Sequence, residues 1–208
     1  PRDYHRPVHR PADTFDRRFG STDPADVSRI AHATASALIT RVRHEPTDAV
    51  VERLITFTDA HGLETVAELW SHSPAKSLPG TLWRLYLLQL MVRDDAATAA
   101  LLYERGRTVL RSVDDVVAGA PTPAGPEELM TLVDEILRGV FTGDFAVALE
   151  RAASFCRVEA AGAADLADDY DDTEPNRAST FTTRALRLDT YAGDLTACAG
   201  LWRRDALT

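Results

Sequence analysis

Thr81–Arg93, TLWRLYLLQLMVR, is the stretch that decides the fold class. It is long, does not alternate, and is built from Leu and Met with Val92 as its one β-branched apolar residue, which dictates helix rather than strand. Pro79-Gly80 marks a break before it, and Thr81 is the expected N-cap. A membrane span needs roughly 20 apolar residues. This run is shorter and carries Arg84, Gln89 and Arg93. A helix apolar on nearly every side belongs inside a soluble bundle. The rest of the chain is therefore expected to pack around a central buried helix at 81–93.

The polar residues of that helix are the first candidate site. Tyr86, Gln89 and Arg93 follow spacings of three and four and so share one face. At about 100° per residue, Arg84 points about 140° away from Gln89 and about 180° away from Arg93, into the apolar side. It either pairs with a structural carboxylate such as Glu64 or Glu68, or places a guanidinium to hold an anionic ligand or partner. Arg84, Tyr86, Gln89 and Arg93 are thus candidate ligand- or partner-binding residues.

Outward from this stretch, helical periodicity continues in both directions. Pro24 to about His44 reads as a helix capped by Ser21 or Asp23, followed by helices at Pro46–Ala60 and Leu63–Ser71. Asp94 or Asp95 caps a helix to about Arg105 that Gly106 closes, and Arg107–Ala118 continues as a further segment. GAPTPAGP, 119–126, is a linker within one domain. Glu127–Val140 is amphipathic, Asp144 caps a helix to about Ala161, and a last helix runs from about Thr183 to Asp205 with an interruption near Gly193. No run of alternating β-branched residues occurs. The expected fold is an all-α, single-domain bundle of about eight helices over 21–208, with an extended basic arm at 1–20 and an acidic loop at 165–176.

The 208 residues carry a net charge of −9. Asp165, Asp168, Asp169, Asp171, Asp172 and Glu174 supply six of those negative charges within ten positions, so the remainder is nearly balanced. That balance argues against a nucleic-acid binder acting through overall basic charge. The arm carries Arg2, Arg6 and Arg10 between Pro1, Pro7 and Pro11, which prevent a continuous helix. It either lies on the body or grips an acidic partner. The two cysteines, Cys156 and Cys198, form no CxxC pair, and no signal peptide is expected. This pattern fits buried thiols in a reducing cytoplasm.

Catalytic signatures are missing: the chain has no GxGxxG, GxxxxGK[ST], HExxH or GxSxG. The six histidines offer no zinc-ligand spacing. DDYDD, Asp168–Asp172, matches the spacing of the DDxxD motif by which isoprenoid synthases hold Mg²⁺ and a diphosphate, but no second acidic motif accompanies it. Asp168, Asp169 and Asp172 are therefore metal candidates at most, and the stretch reads as a solvated acidic loop.

HGLETVAELWSHSPAKSLPGTLWRLYLLQLMVR and GDFAVALERAASFCRVEAAGAADL together resemble a family of uncharacterised small actinobacterial proteins, over about residues 24–165. The resemblance implies a source and a compartment, and no activity. The expectation is a cytoplasmic, non-catalytic binding or interaction protein that needs no cofactor and self-associates or holds a protein partner. Two alternatives stand beside it: a transcription-associated accessory protein using the arm, and a ligand-binding protein or enzyme with an anion site at Arg84.

Overall fold

A computed structural model describes residues 24–44, 69–110 and 125–208. Among the described residues every regular element is a helix. In chain order they are α1 (Pro24–His44), α2 (Leu78–Asp94), α3 (Ala96–Val109), α4 (Pro126–Thr142), α5 (Phe145–Tyr170) and α6 (Pro175–Trp202). The end of one more helix precedes α2 at 69–71. The all-α class is what the periodicity dictates. The arm at 1–20, the helix expected at 46–60 and the linker at 119–124 lie outside the described residues.

α2 begins three residues before the expected start. Pro79 occupies its first turn, where the missing N–H costs nothing. Ser77, not Thr81, is the N-cap: its Oγ accepts from Gly80 N at 3.2 Å, while Thr81 Oγ1 donates back to Ser77 O at 2.7 Å. Leu78, Leu82, Leu85, Leu88 and Val92 are buried on one side.

Asp95 caps α3, accepting from Thr98 N at 3.0 Å. The helix does not stop at Gly106 but runs through it to Val109. Asp144 caps α5 as expected, its Oδ1 accepting from Ala146 N at 2.8 Å and Val147 N at 3.2 Å. Because one oxygen satisfies two otherwise orphan donors, Asp144→Ala is expected to cost about 1 kcal/mol, readable as a lower denaturation midpoint.

α5 and α6 form a long antiparallel hairpin, and its tight turn corrects the expected 165–176 loop. Asp165, Asp168 and Asp169 are helical, residues 171–173 turn, and Pro175 already opens α6. Side chains tie the pair along its length. Phe145 meets Trp202 with ring centroids 4.5 Å apart, Arg203 forks onto Glu150 at 2.6 and 2.8 Å, and Tyr170 stacks on Phe181. α6 passes Gly193 without a break.

α5 presents the largest buried face, running from Phe145 through Leu149, Phe155 and Val158 to Leu166. α3 approaches it so closely that Gly106 and Gly162 face each other backbone to backbone. Tyr103 stacks on Phe155 beside that crossing, with centroids 5.4 Å apart.

Candidate functional site

The polar edge of α2 turns out to face α4. Gln89 Nε2 donates to Asp134 Oδ1 at 3.1 Å, and an Arg93 nitrogen lies 3.5 Å from the same oxygen. Tyr86 stacks on Trp83, one turn earlier, with centroids 5.6 Å apart. The candidate residues Gln89 and Arg93 are therefore brought together, and Asp134 is the acceptor that joins them.

Arg84 points the other way, as its angular position requires, and meets α6. Its Nε lies 3.1 Å from Asp194 Oδ2, off the line of the N–H, so this contact is an ion pair without a well-aligned hydrogen bond. Its NH1 donates to Gly80 O at 3.2 Å, and its guanidinium carbon sits 5.6 Å from the centre of the Tyr191 ring. The expected partners Glu64 and Glu68 lie outside the described residues, as do Arg2, Arg6 and Arg10. The Arg84 and Asp194 side chains are 17% and 15% exposed, which puts the pair mostly out of water. Removing one charge from such a pair strands the other. Arg84→Met is therefore expected to destabilise by about 2–3 kcal/mol in denaturant unfolding. A stability close to wild type would show that Asp194 does not depend on Arg84.

The acidic candidates are distributed differently from a metal site. Asp165 and Asp169 both reach Arg105 of α3, which answers two carboxylates that a helix C-terminus would otherwise disfavour. Arg177 lies over the Tyr170 ring at 4.2 Å. Asp168 and Asp172 are exposed. Among the described residues no group of three or more His, Cys, Asp or Glu is placed to hold a metal ion. The two thiols are free and buried, and burial pushes both upward in pKa, with the Glu159 charge adding to the effect on Cys156.

Two features did not emerge from the sequence reading. The first is Glu159, fully buried on α5. Among the described residues its Oε2 meets Arg184 of α6, at 3.5 Å, and its Oε1 and the Arg184 Nε have no hydrogen-bond partner. Burial pushes the carboxyl up to about 8, and Arg184 offsets only part of that. Spacing could have found it: Glu159 falls four residues after Phe155 and three before Gly162, on the core stripe.

The second is the outward face of α6. Ser179, Thr183, Leu186, Thr190 and Gly193 are exposed and follow spacings of four and three, so they form one stripe opposite buried Leu188, Ala192 and Leu195. Leu186 is 66% exposed, the most exposed large apolar side chain among the described residues. The stripe carries no charge. Its threonine hydroxyls are satisfied within the helix, Thr183 on Ser179 O at 2.9 Å and Thr190 on Leu186 O at 2.8 Å.

No family model matches the chain, and no curated protein or solved structure is significantly similar to it. Among the described residues no helix is long and apolar enough to cross a membrane.

Proposed function

We propose that this protein is a non-catalytic, cytoplasmic interaction protein that associates with itself or a protein partner through the outward face of α6. The observation that carries this reading is Leu186, standing in solvent at the middle of an uncharged stripe on the longest described helix. An exposed leucine alone needs no explanation. Here the flanking Thr183 and Thr190 are short, uncharged and already hydrogen-bonded within the helix, so covering their hydroxyls strands neither. The polar side chains α2 offers a ligand are meanwhile occupied inside the fold: Gln89 and Arg93 by Asp134, Arg84 by Asp194. That engagement makes an anion site at Arg84 the weaker reading.

Sedimentation over a wide concentration range, paired with capture from the native extract, tests the proposal. The expected result is association that Leu186→Glu weakens while leaving the fold intact. A strict monomer that also retains no protein would overturn it, as would association indifferent to Leu186→Glu.

A further inference from the structure

The two halves of α6 are held by different means. From Leu188 onward the helix enters the main core through Leu188, Ala192, Leu195, Cys198 and Ala199. Before it, over Pro175–Arg187, Ala178 is the one buried residue. Phe181 and Ala185 are half-buried against a small separate cluster of Leu102, Ala163 and Leu166, where Phe181 also stacks on Tyr170.

Local preference supports this first half weakly. Its N-cap, Glu174, makes no side-chain capping bond. Ser179, Thr180, Phe181, Thr182 and Thr183 then run together, and serine, β-branched and aromatic residues are all modest helix formers. The Thr180, Thr182 and Thr183 hydroxyls turn back onto carbonyls four residues earlier, a bond that slightly destabilises a helix. Few buried apolar contacts and weak propensity are what let a segment open below the free energy of global unfolding.

Arg184 is the one charged side chain of this half that reaches a fully buried group, and that group is Glu159. We propose that Pro175–Arg187 opens from α5 and α3 as a unit, and that the proton on the Glu159 carboxyl holds it shut. The proposal goes beyond the interaction reading and does not rest on it.

As a neutral acid, Glu159 has no charge to keep in water. As a carboxylate it leaves Oε1 without a donor and meets Arg184 only at 3.5 Å, and a buried ion so poorly answered is costly. Lifting the segment away takes Arg184 with it and lets water reach the carboxylate. Burial accordingly pushes the docked carboxyl up to about 8 from an ordinary 4.5. Between those values opening releases one proton to water, so it grows more favourable as pH rises, and above about 8 the dependence ends. Tyr103 faces Glu159 from α3, with Arg107 acting on Tyr103, and Cys156 neighbours it on α5 with Arg157 beside it. Burial pushes Tyr103 and Cys156 upward, so neither loses its proton in this range.

Native-state amide exchange of the full chain, followed residue by residue in low denaturant, tests the proposal. Protection at Thr180–Arg187, corrected for the intrinsic pH dependence of exchange, should fall on the order of a hundredfold from pH 5 to pH 8. It should also lie at least about tenfold below protection at Leu195–Trp202 and respond less to denaturant, the mark of an opening smaller than global unfolding. Glu159→Gln should remove the pH dependence at Thr180–Arg187. Equal protection and equal denaturant response in the two halves would overturn the proposal, leaving a helix that melts only with the whole fold. So would a first half that opens separately but to the same extent at pH 5 and pH 8, or one whose pH dependence survives Glu159→Gln. The wild-type chain alone decides the first two outcomes, whatever the variant does to folding.

Discussion

Gly162→Ala is expected to destabilise the protein by about 3 kcal/mol, in the upper range for forcing a methyl into packed space. Helix propensity alone gives the opposite sign, since alanine in a helix interior is favoured over glycine by roughly 0.5–1 kcal/mol. The crossing of α3 and α5 decides the matter. A Cβ at Gly162 would fall deep inside the van der Waals shell of the Leu102 carbonyl oxygen, and 2.9 Å from Gly106 N. A Cβ at Gly106 would do the same to the Val158 carbonyl oxygen. These obstacles are helix backbone, which cannot rotate aside as a side chain can. The helices must separate, loosening the Tyr103–Phe155 stack and the Arg105 contacts with Asp165 and Asp169. Gly106→Ala should cost a similar amount. The double variant should cost less than the two singles combined, because one separation accommodates both methyls. Gly193→Ala serves as the control and should stabilise the monomer by about 0.5–1 kcal/mol. Equal effects of the same sign at Gly162 and Gly193 would mean that α3 and α5 are not in backbone contact.

Those glycines also show what the sequence could and could not yield. Gly106 and Gly193 each sit inside a helical pattern, where the local reading is a stop or a break. Both are in fact mid-helix. The reason Gly106 is glycine lies on α5, at Gly162, and no local window contains it. The class of the fold was legible because apolar spacing is a local property, and so was the direction of Arg84, because angle along a helix is fixed. Its partner Asp194 was not, since that pairing depends on how α2 meets α6. Locally the acidic stretch reads as a solvated loop because a run of like charges repels itself. Arg105, sixty residues from Asp165, removes that objection. Leu186 was legible as an apolar residue of α6, but only the packing of Leu188 and Leu195 inward reveals that it faces out.

Glu159 gives the second large effect, and its sign is unusual for a carboxylate. Most carboxylates in folded proteins are held below their ordinary pKa, so that stability falls on acidification. Glu159 is held above it, at about 8 against an ordinary 4.5, because burial removes water and Arg184 approaches only one oxygen at 3.5 Å. Between those two values the unfolded chain has lost the proton and the folded chain keeps it. Folding takes up about one proton there, so this residue's contribution is full below about pH 4.5 and is lost as pH rises to about 8. The slope is up to about 1.4 kcal/mol per pH unit. The surrounding groups do not reverse this. On α3, Tyr103 is itself pushed upward in pKa, by burial first and by the Glu159 charge as well, with Arg107 opposing. Asp95, at the head of the same helix, is held low by its hydrogen bonds to Thr98 and feels Arg184 only weakly. On α5, Cys156 is kept as the neutral thiol.

Glu159→Gln preserves the shape and removes the titration. Its unfolding free energy, followed from pH 5 to pH 9, should lack the descending component present in wild type. The variant should be close to wild type at pH 5 and more stable by a few kcal/mol at pH 9, where wild type must bury a charge that Arg184 incompletely answers. Arg184→Met should show the complementary pattern, costing little at pH 5, where Glu159 is neutral, and much more at pH 9. A wild-type-minus-variant difference that stays flat across the range would establish that Glu159 is ionised at pH 5 already. In that case the Arg184 pairing would have to be far closer in solution than the 3.5 Å contact allows. The expected slope instead makes the α5–α6 hairpin most firmly docked in mildly acidic solution, and least firmly above about pH 8.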